Sequence, residues 1–173
     1  PRKLDVLFVV DNSASMGDEQ IALQNNFSSF IDRFMDRGFD FRIAVITTEA
    51  YRYPQFGGNN CNNTGNRCSK DLSLFRKGAS VPESARVIKS TNYDLNSNSE
   101  RTLLKTHFAG NALVGTNGSG DERSFSSFEY ALNLQENIDF EFRRPDAYLA
   151  IVIVSDEEDF SKSTYTLTDN PSD

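Results

Sequence analysis

LDVLFVV, from Leu4 to Val10, runs without a break into DNSASMG, from Asp11 to Gly17, and this junction decides the fold. The first stretch is almost continuously apolar, as a strand covered on both faces must be, so it predicts a central parallel strand. The second is a polar turn that Gly17 lets break into a helix. Beyond it Ile21, Phe27, Phe30, Ile31, Phe34 and Met35 recur at the spacing of one helical face, with Gly38 as a C-terminal stop. FRIAVITT, Phe41 to Thr48, is rich in β-branched residues and reads as a second strand beside the first. YLAIVIV, Tyr148 to Val154, repeats the fully buried signal. Strands alternating with helices imply parallel pairing through right-handed crossovers, hence an open, mainly parallel, Rossmann-like α/β sheet with helices on both faces.

Between the second and last strands the pattern loosens. Residues 49–100 read as an elaborated insertion within a single domain spanning 1–173, dense in turn formers, with ARVIKST as a short edge strand. Leu103, Leu104, His107 and Phe108 then mark one helix, and Phe125, Phe128 and Leu132, with Gln135 or Glu136 at the end, mark another. His107 reads as a helix-surface or packing residue. Cys61 and Cys68 stand in the Asn- and Gly-rich part of the insertion, at a spacing that closes a small disulfide ring if the backbone turns back; free thiols are the alternative. A bridge implies an oxidising, extracytoplasmic location: periplasm, cell surface or secreted.

Charge narrows the function. The net charge of -7 disfavours nucleic acid and anionic lipid, both of which need clustered Lys and Arg. No apolar run is long enough for a membrane span. One histidine and two cysteines do not make a structural zinc site, so any metal is expected to be a hard ion held by oxygen.

In an open α/β sheet, binding sites lie beyond the carboxyl ends of the strands. Asp11, Ser13 and Ser15 leave the first strand there, and Ser155-Asp156-Glu157-Glu158-Asp159 leaves the last. Two carboxylates aimed into one crevice repel unless a cation or proton lies between them. Alternation puts Asp11, Ser13 and Ser15 on one side of an extended turn, and Mg²⁺, with about six oxygen positions of which several are water, suits such a set. Mn²⁺ and Ca²⁺ are the alternatives.

DNSASMG, with the two apolar strands and IVIVSD, resembles the D-x-S-x-S-M-G signature of the von Willebrand factor type A and integrin inserted domains, over most of the chain apart from the insertion. The resemblance implies a metal-ion-dependent adhesion site. Ser13 and Ser15 would ligate the ion directly, Asp11 and Asp156 directly or through water, and a middle-loop hydroxyl would complete the set. Thr116 and Ser119 are both candidates for that hydroxyl, because GSGDE intervenes before the next helix. Glu122 would cap that helix or touch a metal-bound water. Glu157 stands where many members have glycine, similar to bacterial members with a longer acidic segment. The open coordination position implies a protein or glycan partner offering a carboxylate, or another copy of the domain. Further strands follow the acidic segment in the complete family fold, so completion by another segment or chain is expected.

Two rival readings remain. A haloacid dehalogenase-type phosphohydrolase also places Asp after its first strand, but its general acid would sit two residues on, where this chain has Ser13. A serine nucleophile finds no base near it in sequence. The second rival is a domain in which the ion only ties loops together. A binding module, rather than an enzyme, is the expectation.

Overall fold

The computed structural model describes residues 2–53, 69–159 and 161. Four strands form one open sheet: β1 (Lys3–Val10), β2 (Asp40–Thr47), β3 (Ile88–Lys89) and β4 (Tyr148–Val154), in the order β3-β2-β1-β4. β1 pairs in parallel with β2 and β4, and only the two-residue β3 runs antiparallel to β2. Helices α1 (Gly17–Asp36), α2 (Asn98–Ala112), α3 (Ser124–Asn133) and α4 (Gln135–Asp139) supply the connections. The expected Rossmann-like α/β architecture is therefore the observed one.

Side chains alternate along β1 and so feed two cores. Val6, Phe8 and Val10 meet Phe27, Ile31 and Met35 of α1 and Leu104 and Phe108 of α2. Leu7 and Val9 face the opposite way, towards Ala131 of α3 with Phe75 and Phe142. Each such fully buried side chain contributes about 1.5–3 kcal/mol relative to exposure. Gly38 ends α1 as expected, with φ of +65°, while its N–H and that of Phe39 bond the Met35 and Phe34 carbonyls at 3.1 and 3.2 Å.

Three expectations change. Among the described residues β4 pairs with β1 alone, and Tyr148, Leu149 and Ile153 are exposed where both faces were expected to be covered. The edge strand in ARVIKST shrinks to Ile88–Lys89 before a tight turn takes over at Ser90. The pattern from Phe125 onwards divides into α3 and α4, since Leu134 adopts extended backbone between them. Residues 54–68 of the insertion, with the Cys61 and Cys68 pairing, lie outside the described residues. Among the described residues no helix is long and apolar enough to cross a membrane.

At the amino end of the sheet Arg144 anchors the approach to β4. Its guanidinium donates to buried Asp5 at 2.7 and 2.9 Å and pairs with Asp40 at 2.7 Å. The opposite, carboxyl end is left for the loops.

Candidate metal centre

β1 delivers Asp11 into the crevice between β1 and β4, where the direction of connection reverses, and the Asp11 N–H still bonds the Val154 carbonyl at 2.9 Å. Asp11 is fully buried. Its Oδ1 accepts the Ser13 N–H at 2.7 Å, and its Oδ2 accepts the Ser155 hydroxyl at 2.9 Å. The Ser13 and Ser15 hydroxyls lie 3.1 Å apart, and Ser15 donates to Asp156 Oδ1 at 3.3 Å. Side chains 145 positions apart in the sequence thus form one continuous polar chain, running from buried Asp11 and Ser13 to exposed Ser15 and Asp156.

Glu122 closes the buried side. It is 1% exposed, and neither carboxylate oxygen has a hydrogen-bond partner. Burial, followed by the nearby Asp11 carboxylate, pushes its carboxyl up to about 8, with Glu157 adding to the rise and the Ser13 hydroxyl opposing it. Asp11 and Ser13 therefore approach Glu122 closely enough to perturb it, yet neither makes a hydrogen bond of ordinary geometry with it.

The other buried acids are paired, Asp5 with Arg144 and Glu49 with Arg52, as is half-buried Asp121 with Arg123. Among the described residues Asp11, Glu122, Asp156 and Glu157 have no ion pair. Buried side-chain atoms without a partner cluster at this edge too. They are Asn12 Oδ1, Thr47 Oγ1, Thr48 Oγ1 and both Glu122 oxygens, with Arg76 Nε as the sole exception among the described residues. Such orphans call for water or an ion.

The loops are held by contacts that sequence reading missed. Buried Glu49 accepts the Asn12 side-chain amide at 3.0 Å and the Ser119 N–H at 2.8 Å, tying the first loop to the middle one. Gln20 of α1 bonds the Asp11 and Gly115 carbonyls at 2.9 and 2.8 Å. Gly118 donates its N–H to the Asn12 carbonyl at 2.6 Å. Asp159 accepts the Phe125 N–H at 3.2 Å, so the acidic segment after β4 rests on the open start of α3. No sequence signal set Glu49 or Gln20 apart, since a polar residue just past a strand or in the first turn of a helix ordinarily reads as solvated.

The expected residues divide accordingly. Asp11, Ser13, Ser15 and Asp156 come together, with Glu122 and Glu157 in electrostatic reach. The Ser119 hydroxyl instead accepts from Arg52 Nη1 and the Asp121 N–H, both at 3.1 Å, and half-buried Thr116 makes no hydrogen bond to the cluster. Glu122 is not the cap of α3, since its oxygens accept nothing. His107 sits on α2, its Nδ1 2.7 Å from the Tyr93 hydroxyl.

An oxygen-only donor set with orphaned buried carboxylate oxygens fits a hard divalent cation. Among the described residues no three His, Cys, Asp or Glu side chains form a metal-holding group by themselves; the set here depends on serine hydroxyls. The chain matches no family model, no curated protein and no solved structure. Fold and site alone define its class: an open α/β sheet with an acidic, hydroxyl-lined crevice at the carboxyl ends of β1 and β4.

Proposed function

We propose that the chain is a divalent-metal-dependent binding module that captures a carboxylate-bearing partner through an ion, Mg²⁺ before Mn²⁺ or Ca²⁺, at the carboxyl edge of its sheet. The observation that carries this reading is the Asp11–Ser13–Ser15–Asp156 chain closed from below by Glu122, a buried carboxylate with no partner. Asp11, Ser13, Ser15, Glu122 and Asp156 would hold the ion, Glu157 would face its bound water, and Thr116 or Ser119 would add a hydroxyl only after reorienting. When bound, the ion supplies positive charge to which a ligand oxygen can coordinate. The likeness of DNSASMG and IVIVSD to the adhesion site of von Willebrand factor type A domains supports the same reading. Exposure of Ser15 and Asp156 leaves the outer side open to a protein or glycan ligand.

Titration calorimetry with Mg²⁺ and Mn²⁺ tests the first half, with one ion per chain expected for the native protein and none for Asp11→Ala. Capture of an acidic peptide or a polyuronic acid, with Mg²⁺ and then with chelator, tests the second. Binding that survives both chelation and Asp11→Ala in a folded variant would reject the proposal. No catalytic step belongs to it: Ser13 stands where a phosphohydrolase of the rival type needs a carboxylic acid, and His107 is engaged with Tyr93. An extracytoplasmic location is part of the proposal and rests on Cys61 and Cys68; thiol alkylation before and after reduction tests the pairing.

One observation favours a second reading, in which the ion is purely structural. Ser155 to Asp11 and Ser15 to Asp156 already cross the crevice, so an ion there would clamp the two loops. In that case chelation lowers the melting temperature and no acidic ligand binds in either state.

A further inference from the structure

One buried orphan atom lies away from the metal crevice. Arg76 follows Phe75 on a segment whose backbone is fixed against β2, its N–H bonding the Val45 carbonyl at 2.6 Å. Its Nε is buried without a partner, and the guanidinium makes no ion pair with any described residue. Arginine carries five N–H donors and no acceptor, and it does not lose its charge in a protein. Burial and the neighbouring Arg86 charge both act against the charged form. A cation held in this way calls for an anion.

The surroundings supply more donors than acceptors. Arg76, Lys77 and Arg86 line a half-open pocket of about 190 Å³, together with Leu74, Phe75 and Asp71. Arg86 is held rigidly: Glu83 accepts from its Nε at 2.5 Å and its Nη2 at 3.1 Å, and the Phe75 carbonyl accepts from Nη1 at 2.5 Å. Three of its five N–H groups are thereby used. Lys77 gives two of its three protons to the Val81 and Gly78 carbonyls, at 2.9 and 3.3 Å. Glu83 compensates Arg86, while exposed Asp71 lines the wall without pairing with Arg76.

We propose that this pocket is a binding site for a free tetrahedral oxyanion, inorganic phosphate or sulfate, gripped by the Arg76 guanidinium and completed by the spare N–H groups of Arg86 and Lys77. A planar carboxylate is saturated by one guanidinium fork. A tetrahedral anion presents oxygens in several directions and meets donors on three side chains together. Asp71 limits the affinity by repulsion. The site is independent of the metal reading, since it uses none of those residues.

The test is titration of the whole chain with phosphate, sulfate, acetate and chloride, in metal-free buffer at constant ionic strength, followed by two-dimensional amide spectra. Saturable phosphate or sulfate binding is expected, with shifts confined to residues 71–87 and at least roughly tenfold weaker binding in Arg76→Gln. Asp71→Asn should tighten it several-fold, and Asp11→Ala should leave it unchanged. In anion-free buffer Arg76→Gln should melt no lower than the native chain, because it removes an uncompensated charge. Should that variant fail to fold, Arg76→Lys keeps the charge, loses the fork and should also weaken binding. The proposal is overturned by non-saturable shifts, by equal responses to acetate and chloride, or by unchanged binding in the folded Arg76 variant.

Discussion

Gly118 is where the middle loop presses on the turn that follows β1, and adding one methyl group there tests how tightly the two are registered. A Cβ at this position would stand 2.5 Å from the Asn12 carbonyl oxygen and 2.5 Å from its Cγ, about 0.9 Å inside the 3.4 Å at which ordinary contact begins. The oxygen belongs to the backbone, so rotamer change alone does not relieve the clash. Separating the loops also lengthens the 2.6 Å Gly118-to-Asn12 hydrogen bond. Overpacking costs about 1–3 kcal/mol and the bond about 1 kcal/mol, so Gly118→Ala should destabilise by roughly 2–4 kcal/mol, a fall in melting temperature of about 4–16 °C for a domain of this size. Asn12 adjoins Ser13, and a shift of even about 0.5 Å in a supporting loop degrades a site, so Mg²⁺ affinity should drop about 10- to 100-fold. Gly120→Ala, two residues on, meets nothing within 4 Å and is the matched control. Scanning calorimetry reads the first effect and titration calorimetry the second. Variants indistinguishable from each other in melting temperature would refute the packing argument; a stability loss with Mg²⁺ affinity intact would refute the coupling of this loop to the ion.

Glu122→Gln replaces a buried, unpartnered carboxyl that burial pushes up to about 8, so in chelator it should melt higher than the native chain above pH 8, where the native carboxylate is charged, with the gain fading at lower pH, while the stabilisation gained from Mg²⁺, about 2.7 kcal/mol at a hundred times the dissociation constant, should shrink; a lower melting temperature than the native chain in chelator above pH 8 would show that the carboxylate is satisfied. Glu49→Ala deprives the Asn12 amide and the Ser119 N–H of their acceptor and should cost about 1–3 kcal/mol in denaturant titration, together with a loss of Mg²⁺ affinity that Glu49→Gln partly restores. Arg144→Ala strands Asp5 at the far end of the strands and should cost about 3–5 kcal/mol in urea unfolding while leaving Mg²⁺ affinity unchanged in the folded fraction. Burial holds His107 below its usual 6.5, against a smaller opposing effect of Glu100. As pH falls through 6.5 the unfolded chain takes up this proton first, so stability should decline there, and His107→Gln should flatten that part of the pH profile; an identical profile in both chains would refute it.

Where local pattern and tertiary environment agree, the sequence is legible. LDVLFVV became the central strand because both of its faces are covered, and the 3.6-residue spacing from Ile21 to Met35 became α1, stopped by a glycine at positive φ. Asp11 and Ser13 were legible because the backbone stays extended past the strand end, whereas Ser15 reaches Ser13 from a 3-10 turn over Ala14–Met16 and not from the extended turn that alternation predicts. YLAIVIV carries the same apolar signal as LDVLFVV, yet among the described residues only β1 lies beside it, because an apolar run says that a strand lacks polar side chains and says nothing about its place in the sheet order. Asp121 and Glu122 are neighbours with opposite fates: Asp121 bonds Arg123 and the Tyr51 hydroxyl, and Glu122 turns inward to Asp11. Only the fold separates them. Glu49 was invisible for a related reason, since its partners Asn12 and Ser119 stand 37 and 70 positions away.

The polar chain from Asp11 to Asp156 spans the first and last strands of the described sheet, and this has a kinetic consequence. Closing so long a loop is among the slowest contacts a chain of this kind can make, so a partly folded species with β1 and β2 already paired still has only half of the crevice. During refolding, cation uptake should therefore trail the appearance of helical and sheet signals. Ion binding, once measured, becomes a clock for the final docking of β4.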